Sequence, residues 1–404
     1  MALDNTNVTY TKYMNYFILT YAFLLPLSRA GVVFLSGVLV VGWLLEGRFK
    51  EKYQLLKQSK IVLALSIFIL FNVVSFLWSD NIHNAFEYVK KYWYFLPMLI
   101  IFTSIQKGYI TKTLSAFILG MFISEVIAYG VFFELWQFKH ATPENPTPFM
   151  HHIEYSIFLA FTALVLLGRI FREDTLKYKL MYGLFFTTIS GNLFLTAGRT
   201  GQLAFILGLF ILAMISFKNK MKAFVVFSVL SLTLLGTAFT FSTTFHDRIM
   251  TAKMSLVKVV EEENYCTSWG SRIGAWVVSK DIIIEHPIIG IGIDDNMQAF
   301  YHLIQTKYPQ MVCSGNTLVH MHNQYLQILT QTGIIGLFLF LLIFYMIGKL
   351  EIEDDEFKQM KYIYLAVVLF AFVSEVLLHR QFGMALFALV IGLLLAQSRI
   401  EHEV

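Results

Sequence analysis

Residues 323–347 read NQYLQILTQTGIIGLFLFLLIFYMI, a run without a single charged side chain. A helix rises 1.5 Å per residue, so about 20 apolar residues cross the roughly 30 Å hydrocarbon layer of a bilayer. This stretch is long enough. Similar apolar runs recur near 14–28, 30–45, 61–77, 93–104, 113–135, 150–168, 180–196, 201–217, 223–241, 362–378 and 383–397, and with 323–347 they make twelve expected spans. Pro26 interrupts the first pair and Pro97 interrupts 93–104. The composition agrees: 57% of the 404 residues are hydrophobic and only 14% are charged, against roughly a quarter charged in soluble domains. The mean hydropathy is +0.63. The expected fold is an all-α polytopic membrane protein of about twelve transmembrane helices, with no room for a large soluble domain.

Several classes drop out. A net charge of +4 is modest and suits the positive loops of a membrane protein, not a nucleic-acid reader. No GxxxxGK[ST] and no strand-to-helix GxGxxG occurs, so nucleotide-driven transport has no support. The first residues, MALDNTNVTYTKY, hold one lysine and no small-residue cleavage signature follows their apolar run, so the first segment reads as a retained span and not a signal peptide.

Loop charge sets the expected orientation. With both termini cytoplasmic, the inner segments hold 19 Lys and Arg, whereas the short outer loops hold six: Arg29, Lys90, Lys91, Lys139, Arg199 and Arg380. The positive-inside rule favours this arrangement. One connection breaks the pattern of short loops. Residues 242–321 form a long outer segment between spans 1–241 and 322–404, and a loop of that length in a compact protein is functional or disordered. SRIGAWVVSKDIIIEH and DDNMQAFYHLIQTKY read as helices, with HPIIGIG as the turn between them. The segment therefore reads as a small helical periplasmic cap. Both cysteines, Cys266 and Cys313, fall in it, and in an oxidising compartment a disulfide between them is favoured over free thiols. No CxxC or HxxxH spacing supports a metal site.

The chemistry is sought at the outer membrane level, where a lipid-linked substrate presents its reactive group. Arg199, in LTAGRTGQLAF, occupies a tight turn between Gly198 and Gly201. Its guanidinium is either a bidentate phosphate ligand approached closely through the glycines, or an interfacial arginine reaching lipid headgroups. Arg272, in YCTSWGSRIGAW, begins the first cap helix among tryptophans, and both a surface and a packed setting remain open. His322 opens span ten where the cap re-enters the membrane. An imidazole there is a general base for a hydroxyl or a hydrogen-bonded interfacial histidine. His320, two residues earlier, points elsewhere if the helix starts at 322. Asp294 and Asp295 read as caps of the second cap helix and not as a metal pair.

From His322 the chain runs His, Asn323, nine residues, Gly333, two residues, Gly336. This resembles the H-[NSQ]-x9-G-x-x-[GTY] signature of the O-antigen ligase family. The order of a GRTG turn, a long outer segment, SR-x-x-x-W, HPIIGIG and then the histidine motif resembles the same ligase and polymerase superfamily, over roughly residues 150–345. The resemblance implies a GT-C-like glycosyltransferase of the bacterial inner membrane, needing no cofactor, metal or nucleotide. It implies transfer of a glycan from undecaprenyl pyrophosphate to the lipid A core on the periplasmic side, in lipopolysaccharide assembly. Carried onto this chain, Arg199 and Arg272 bind the donor pyrophosphate and His322 is the general base. Inversion at the anomeric carbon follows if the hydroxyl attacks opposite the leaving group.

Lys90, Lys91, Arg29, His152, His320 and Arg380 are secondary candidates for lining the donor groove, with headgroup contacts as the alternative. Glu125 and Glu375 fall within expected spans, where ionisable groups are costly and tend to be paired, and Arg380 is within reach of Glu375. Gly333 and Gly336 read as a close-packing site or a bend in span ten. Competing functions are an O-antigen polymerase or a protein O-oligosaccharyltransferase using the same donor, and a polysaccharide flippase or other secondary transporter. Against transport stand the lack of repeat halves and the concentration of unusual residues on one side, whereas transporters place their sites near the midplane.

Overall fold

A computed structural model describes residues 5–313 and 318–402. Positions 314–317 of the expected cap, the first four residues of the expected inner N-terminal segment and the last two of the chain lie outside them. Among the described residues the chain is helical, with a single isolated bridge between Thr142 and Asn145.

The helices follow the apolar runs. In chain order they are α1 (Asn5–Leu24), α2 (Arg29–Glu46), α3 (Phe49–Gln58), α4 (Lys60–Val74), α5 (Ile82–Lys90), α6 (Leu96–Ser104), α7 (Lys107–Phe132), α8 (His152–Arg172), α9 (Leu176–Leu195), α10 (Arg199–Ser216) and α11 (Lys220–Phe241). Then come α12 (Thr243–Glu262), α13 (Gly270–Glu285), α14 (Asn296–Thr306), α15 (Gln324–Lys349), α16 (Asp355–Ala371) and α17 (Gln381–His402). Short polar residues begin many of them: Ser28, Ser59, Asn81, Asn219, Ser242, Asn323 and Asp354 each accept a backbone N–H of the first turn.

Eight of the described helical stretches are long and apolar enough to cross a membrane: α2, α4 with its 3-10 extension to Leu77, α7, α8, α10, α11, α15 and α17. The protein is thus a multi-pass membrane protein. The other four expected spans coincide with helices that fall short. Asn, Thr and Tyr dilute α1, two lysines polarise α9, α16 has 17 residues, and α6 has nine, preceded by the 3-10 turn Lys91–Phe95 with Pro97 in its first turn. Pro26 lies in the link between α1 and α2. At the centre α8 is buried along nearly its whole length and packs on α9, α10 and α16, while α17 packs on α6. Peripheral α11 stays largely exposed on its apolar surface, as a lipid-facing helix does.

Span ten is broken. Gly333, inside α15, has φ 62° and ψ −165°, so the helix interrupts its own ladder there. The bonds that Ile334 and Ile335 would make to Thr330 and Gln331 are replaced by a strap from residues 286–292. Ile334 and Ile335 donate to the Pro287 and Ile288 carbonyls (2.9 and 3.2 Å), and Ile291 and Gly292 donate to the Thr330 and Gln331 carbonyls (both 3.0 Å). All four interrupted groups are satisfied, as burial demands. The exchange needs two glycines at positive φ. A Cβ on Gly333 would lie 2.2 Å from the Ile288 carbonyl oxygen, and one on Gly290 would lie 2.3 Å from the Gln331 carbonyl carbon. Gly333 is therefore the bend in span ten, and HPIIGIG is the strap that completes it.

The 243–321 segment has one more helix than expected, α12. Its inner faces of α13 and α14 share a small apolar core around Ala275, Val278, Ile282, Phe300 and Ile304, and a disulfide joins Cys266 to Cys313.

Candidate functional site

Three arginines meet at one cavity of about 160 Å³. Arg199 is the first residue of α10, Arg272 lies in the first turn of α13, and Arg248 comes from α12. Close packing of α10 on α8 brings the Arg199 turn here, since a Cβ on Gly198 or Gly201 would lie within 2.3 Å of Ser156. Trp269 is shared by two guanidinium groups: Arg199 Cζ is 5.9 Å and Arg272 Cζ 6.0 Å from its ring centre. His152, Trp276 and Ser374 also line the cavity, and no described lining residue is a carboxylate. Arg248 and Arg272 both act on Arg199 as like charges.

The polar atoms of the site are donors in search of acceptors. Arg272 Nη1 donates to the Ser268 carbonyl at 3.0 Å. Arg199 Nη1, Arg272 Nε and the indole N–H groups of Trp269 and Trp276 are buried with no protein acceptor. Unpaired buried donors are costly, and four around one positive cavity define a place for an anion with several acceptor oxygens. Burial lowers the Arg272 pKa, an effect that the Glu375 carboxylate opposes.

Glu375 connects this cavity to the histidines. Ser374 bonds Thr200 at 2.9 Å on the cavity side, while the next residue turns its carboxylate to the other side. Glu375 Oε1 lies 3.1 Å from His320 Nε2 and 3.2 Å from Arg380 Nη2, and its Oε2 is 3.6 Å from His322 Nδ1. The carboxylate is fully buried. The His322 N–H donates to His320 Nδ1 at 3.2 Å, and Nε2 of a neutral His320 faces both Glu375 Oε1 and Arg380 Nη2 at 3.1 Å. Burial lowers the His320 pKa to about 4 against the pull of Glu375, which agrees with that neutral form. His322 Nδ1 faces Glu375 Oε2 at 3.6 Å, and both atoms are buried with no hydrogen-bond partner.

His320, His322 and Glu375 are also the residue types that hold a divalent cation, with their ligand atoms within 4.8 Å of one another. The Arg380 guanidinium already fills the position of positive charge, within 3.2 Å of the carboxylate and 3.1 Å of His320. The donor set does not fit a metal.

Some expectations need correction. His322 does not open span ten: α15 begins at Gln324, Asn323 is its cap, and His322 precedes the cap with φ 48°. That left-handed residue reverses the chain, so His320 faces the same carboxylate instead of pointing elsewhere. Glu375 is not in a helix, since α16 ends at Ala371. Asp295 does not cap α14. It is already helical in φ and ψ, and its carboxylate accepts from Ser79 Oγ (2.6 Å), the Asp80 N–H (2.8 Å) and the Asn81 N–H (3.3 Å), tying the segment to the start of α5.

The secondary candidates divide. His152 lines the arginine cavity, and His320 and Arg380 surround Glu375. Lys90 pairs with Glu87 at 2.9 Å on the surface, Lys91 contacts His379 at 3.0 Å, and exposed Arg29 lies 5.7 Å over the Phe382 ring. None of those three lines the cavity. Arg248 escaped the sequence reading. The available signal was that Arg248 and Arg272 are the only arginines in 242–321.

The chain is thus a multi-pass helical membrane protein that gathers three guanidinium groups at one cavity, near a histidine that faces a buried carboxylate. Residues 184–341, which carry Arg199, Arg248, Arg272 and His322, match the family model described as O-antigen ligase. An uncharacterized protein of Haemophilus influenzae is 34% identical over 116 residues, 28% of this chain and 29% of that protein. The match thus spans under a third of that relative's length.

Proposed function

We propose that the protein is an inverting, metal-independent glycosyltransferase that moves a glycan from undecaprenyl pyrophosphate to a sugar hydroxyl of the lipid A core. The reaction is placed on the periplasmic side of the bacterial inner membrane, with both termini cytoplasmic. One observation carries the reading: Arg199, Arg272, Trp269 and Trp276, each with a buried donor that lacks a protein acceptor, line one cavity together with Arg248, and its described lining has no carboxylate.

His322 Nε2 takes the proton of the acceptor hydroxyl as its oxygen attacks the anomeric carbon. The bond from that carbon to the pyrophosphate oxygen breaks, and the electron pair leaves with the pyrophosphate. Negative charge therefore grows on the leaving group, where fixed guanidinium groups in a partly dry site stabilise it. Glu375 supports the imidazolium formed in the same step. The positive-inside rule supports this orientation, because Arg169 and Arg172 lie in the last turn of α8 and Arg399 in the last turn of α17, among the 19 Lys and Arg of the inner segments.

The test is transfer by the purified protein in chelator, with undecaprenyl-pyrophosphate glycan as donor and lipid A core, free glycan or an acceptor protein offered separately. The proposal expects glycosylated lipid A core and released undecaprenyl pyrophosphate. Lengthened donor glycan or glycosylated protein alone would replace ligase by polymerase or oligosaccharyltransferase, and mere movement of lipid between leaflets would refute catalysis.

A further inference from the structure

A second polar cavity, of about 520 Å³, opens at the opposite end of the bundle, between the start of α1, the α2–α3 turn, the α6–α7 link and the end of α17. Among the described residues, Arg48, Lys52, Lys107 and Arg399 line it, with Glu51 as the lining carboxylate. A second carboxylate lies behind: buried Glu46 is 2.9 Å from Lys52 Nζ and 2.7 Å from Arg48 Nη2, and accepts from Ser104 Oγ at 2.6 Å. Among the described residues, Arg48, Lys52 and Lys107 outnumber these two carboxylates even with Arg399 set aside.

The walls are pre-organised. Arg399 donates to the Thr103 and Ile105 carbonyls at 3.1 and 2.7 Å, which satisfies the end of α6. Lys52, with 2% of its side chain exposed, is also held by the Trp43 carbonyl at 2.7 Å. Lys107 opens α7, whose preceding Gln106 makes no side-chain cap, so the positive end of that helix also borders the cavity.

Two features place the cavity at headgroup level. Helix α3, FKEKYQLLKQ, is too short to span and combines exposed Phe49 and Tyr53 with Lys50 and Lys57, the pattern of a helix lying in the membrane interface. Along α17, the residues from Gln381 to Arg399 separate the Arg380 end from this cavity by about 27 Å, near the thickness of the hydrocarbon layer.

We propose that this cavity binds the phosphate headgroup of an anionic phospholipid, on the membrane face opposite the three-arginine site. A phosphodiester supplies acceptor oxygens to the cations, and Leu55 and Ile400 on the lining meet the start of its acyl chains. A zwitterionic lipid adds an ammonium group that the excess positive charge repels. Inorganic phosphate shares the headgroup chemistry and lacks the chains.

The test is native mass spectrometry of the full chain in detergent, titrated with phosphatidylglycerol, phosphatidylcholine or sodium phosphate. Phosphatidylglycerol is expected to be retained over phosphatidylcholine and not to be displaced by millimolar phosphate. Lys107→Gln should weaken its binding roughly five-fold, and Arg48→Gln by a similar factor. Because Arg48 also holds buried Glu46, the exposed Lys107 carries the test if Arg48→Gln fails to fold. Equal retention of the two lipids, an unchanged Lys107→Gln protein, or displacement by inorganic phosphate would each overturn the lipid site.

Discussion

Replacing Arg199 by lysine keeps the charge at the cavity and removes the fork. Arg199 Nη1 is buried without a protein acceptor, and its guanidinium lies 5.9 Å over Trp269. A guanidinium presents two parallel N–H donors to a phosphate, whereas an ammonium is a point charge on a flexible stem. Arg248 and Arg272 continue to supply positive potential in the variant, so the loss is confined to about one charge-assisted hydrogen bond. That bond contributes ~1.5–3 kcal/mol, which corresponds to a drop of roughly 10- to 150-fold in kcat/KM. Arg199→Gln removes the charge as well and should fall further. The assay is the rate of polyprenyl pyrophosphate release by purified wild-type and variant proteins, with thermal unfolding in detergent confirming the fold. A lysine variant within twofold of wild type would show that Arg199 does not hold the leaving group through its fork.

His322→Ala should lower the transfer rate by roughly 10²- to 10⁴-fold with an unchanged unfolding temperature, as loss of a general base does; wild-type turnover would remove its role. Gly333→Ala forces an alanine to φ 62° and sets its Cβ against the Ile288 carbonyl. A backbone at φ 62° and ψ −165°, a region essentially restricted to glycine, costs an alanine ~1–3 kcal/mol and each strap bond lost about 1 kcal/mol more, so the unfolding temperature should fall clearly; an unchanged value would contradict the strap. Cys266→Ser with Cys313→Ser opens a loop of 47 residues, which should cost on the order of 4 kcal/mol and be seen as faster proteolysis within 243–313. Equal proteolysis of both proteins would show that the bridge does not order the segment.

The apolar runs made the helices legible because a spanning helix must hold its apolar side chains in one continuous stretch. The count was less legible: α1 and α9 carry enough polar residues, and α6 and α16 are short enough, that packing against neighbours and not hydropathy determines where they lie. Within the site, Arg199, Arg272 and His322 stood out through local patterns of glycine, tryptophan and asparagine. His320 and Arg380 were legible only as secondary candidates and Glu375 only as a partner within reach of Arg380; their meeting with His322 was not, because a left-handed residue at 322 and a non-helical stretch after Ala371 bring them together, and neither has a periodic signature. The strap was visible only as a turn, since its partners are backbone groups of a helix more than 35 residues away that breaks at Gly333.

The central claim is that the three-arginine cavity holds the pyrophosphate of a lipid-linked glycan. An experimental structure of the protein with undecaprenyl pyrophosphate bound tests it most directly. The account predicts phosphate oxygens within hydrogen-bonding distance of the Arg199 and Arg272 guanidinium groups, beside Trp269, with the lipid chain leaving between the outer ends of the spans. Pyrophosphate bound at the bilayer midplane, or at the opposite face of the bundle with this cavity empty, would contradict it.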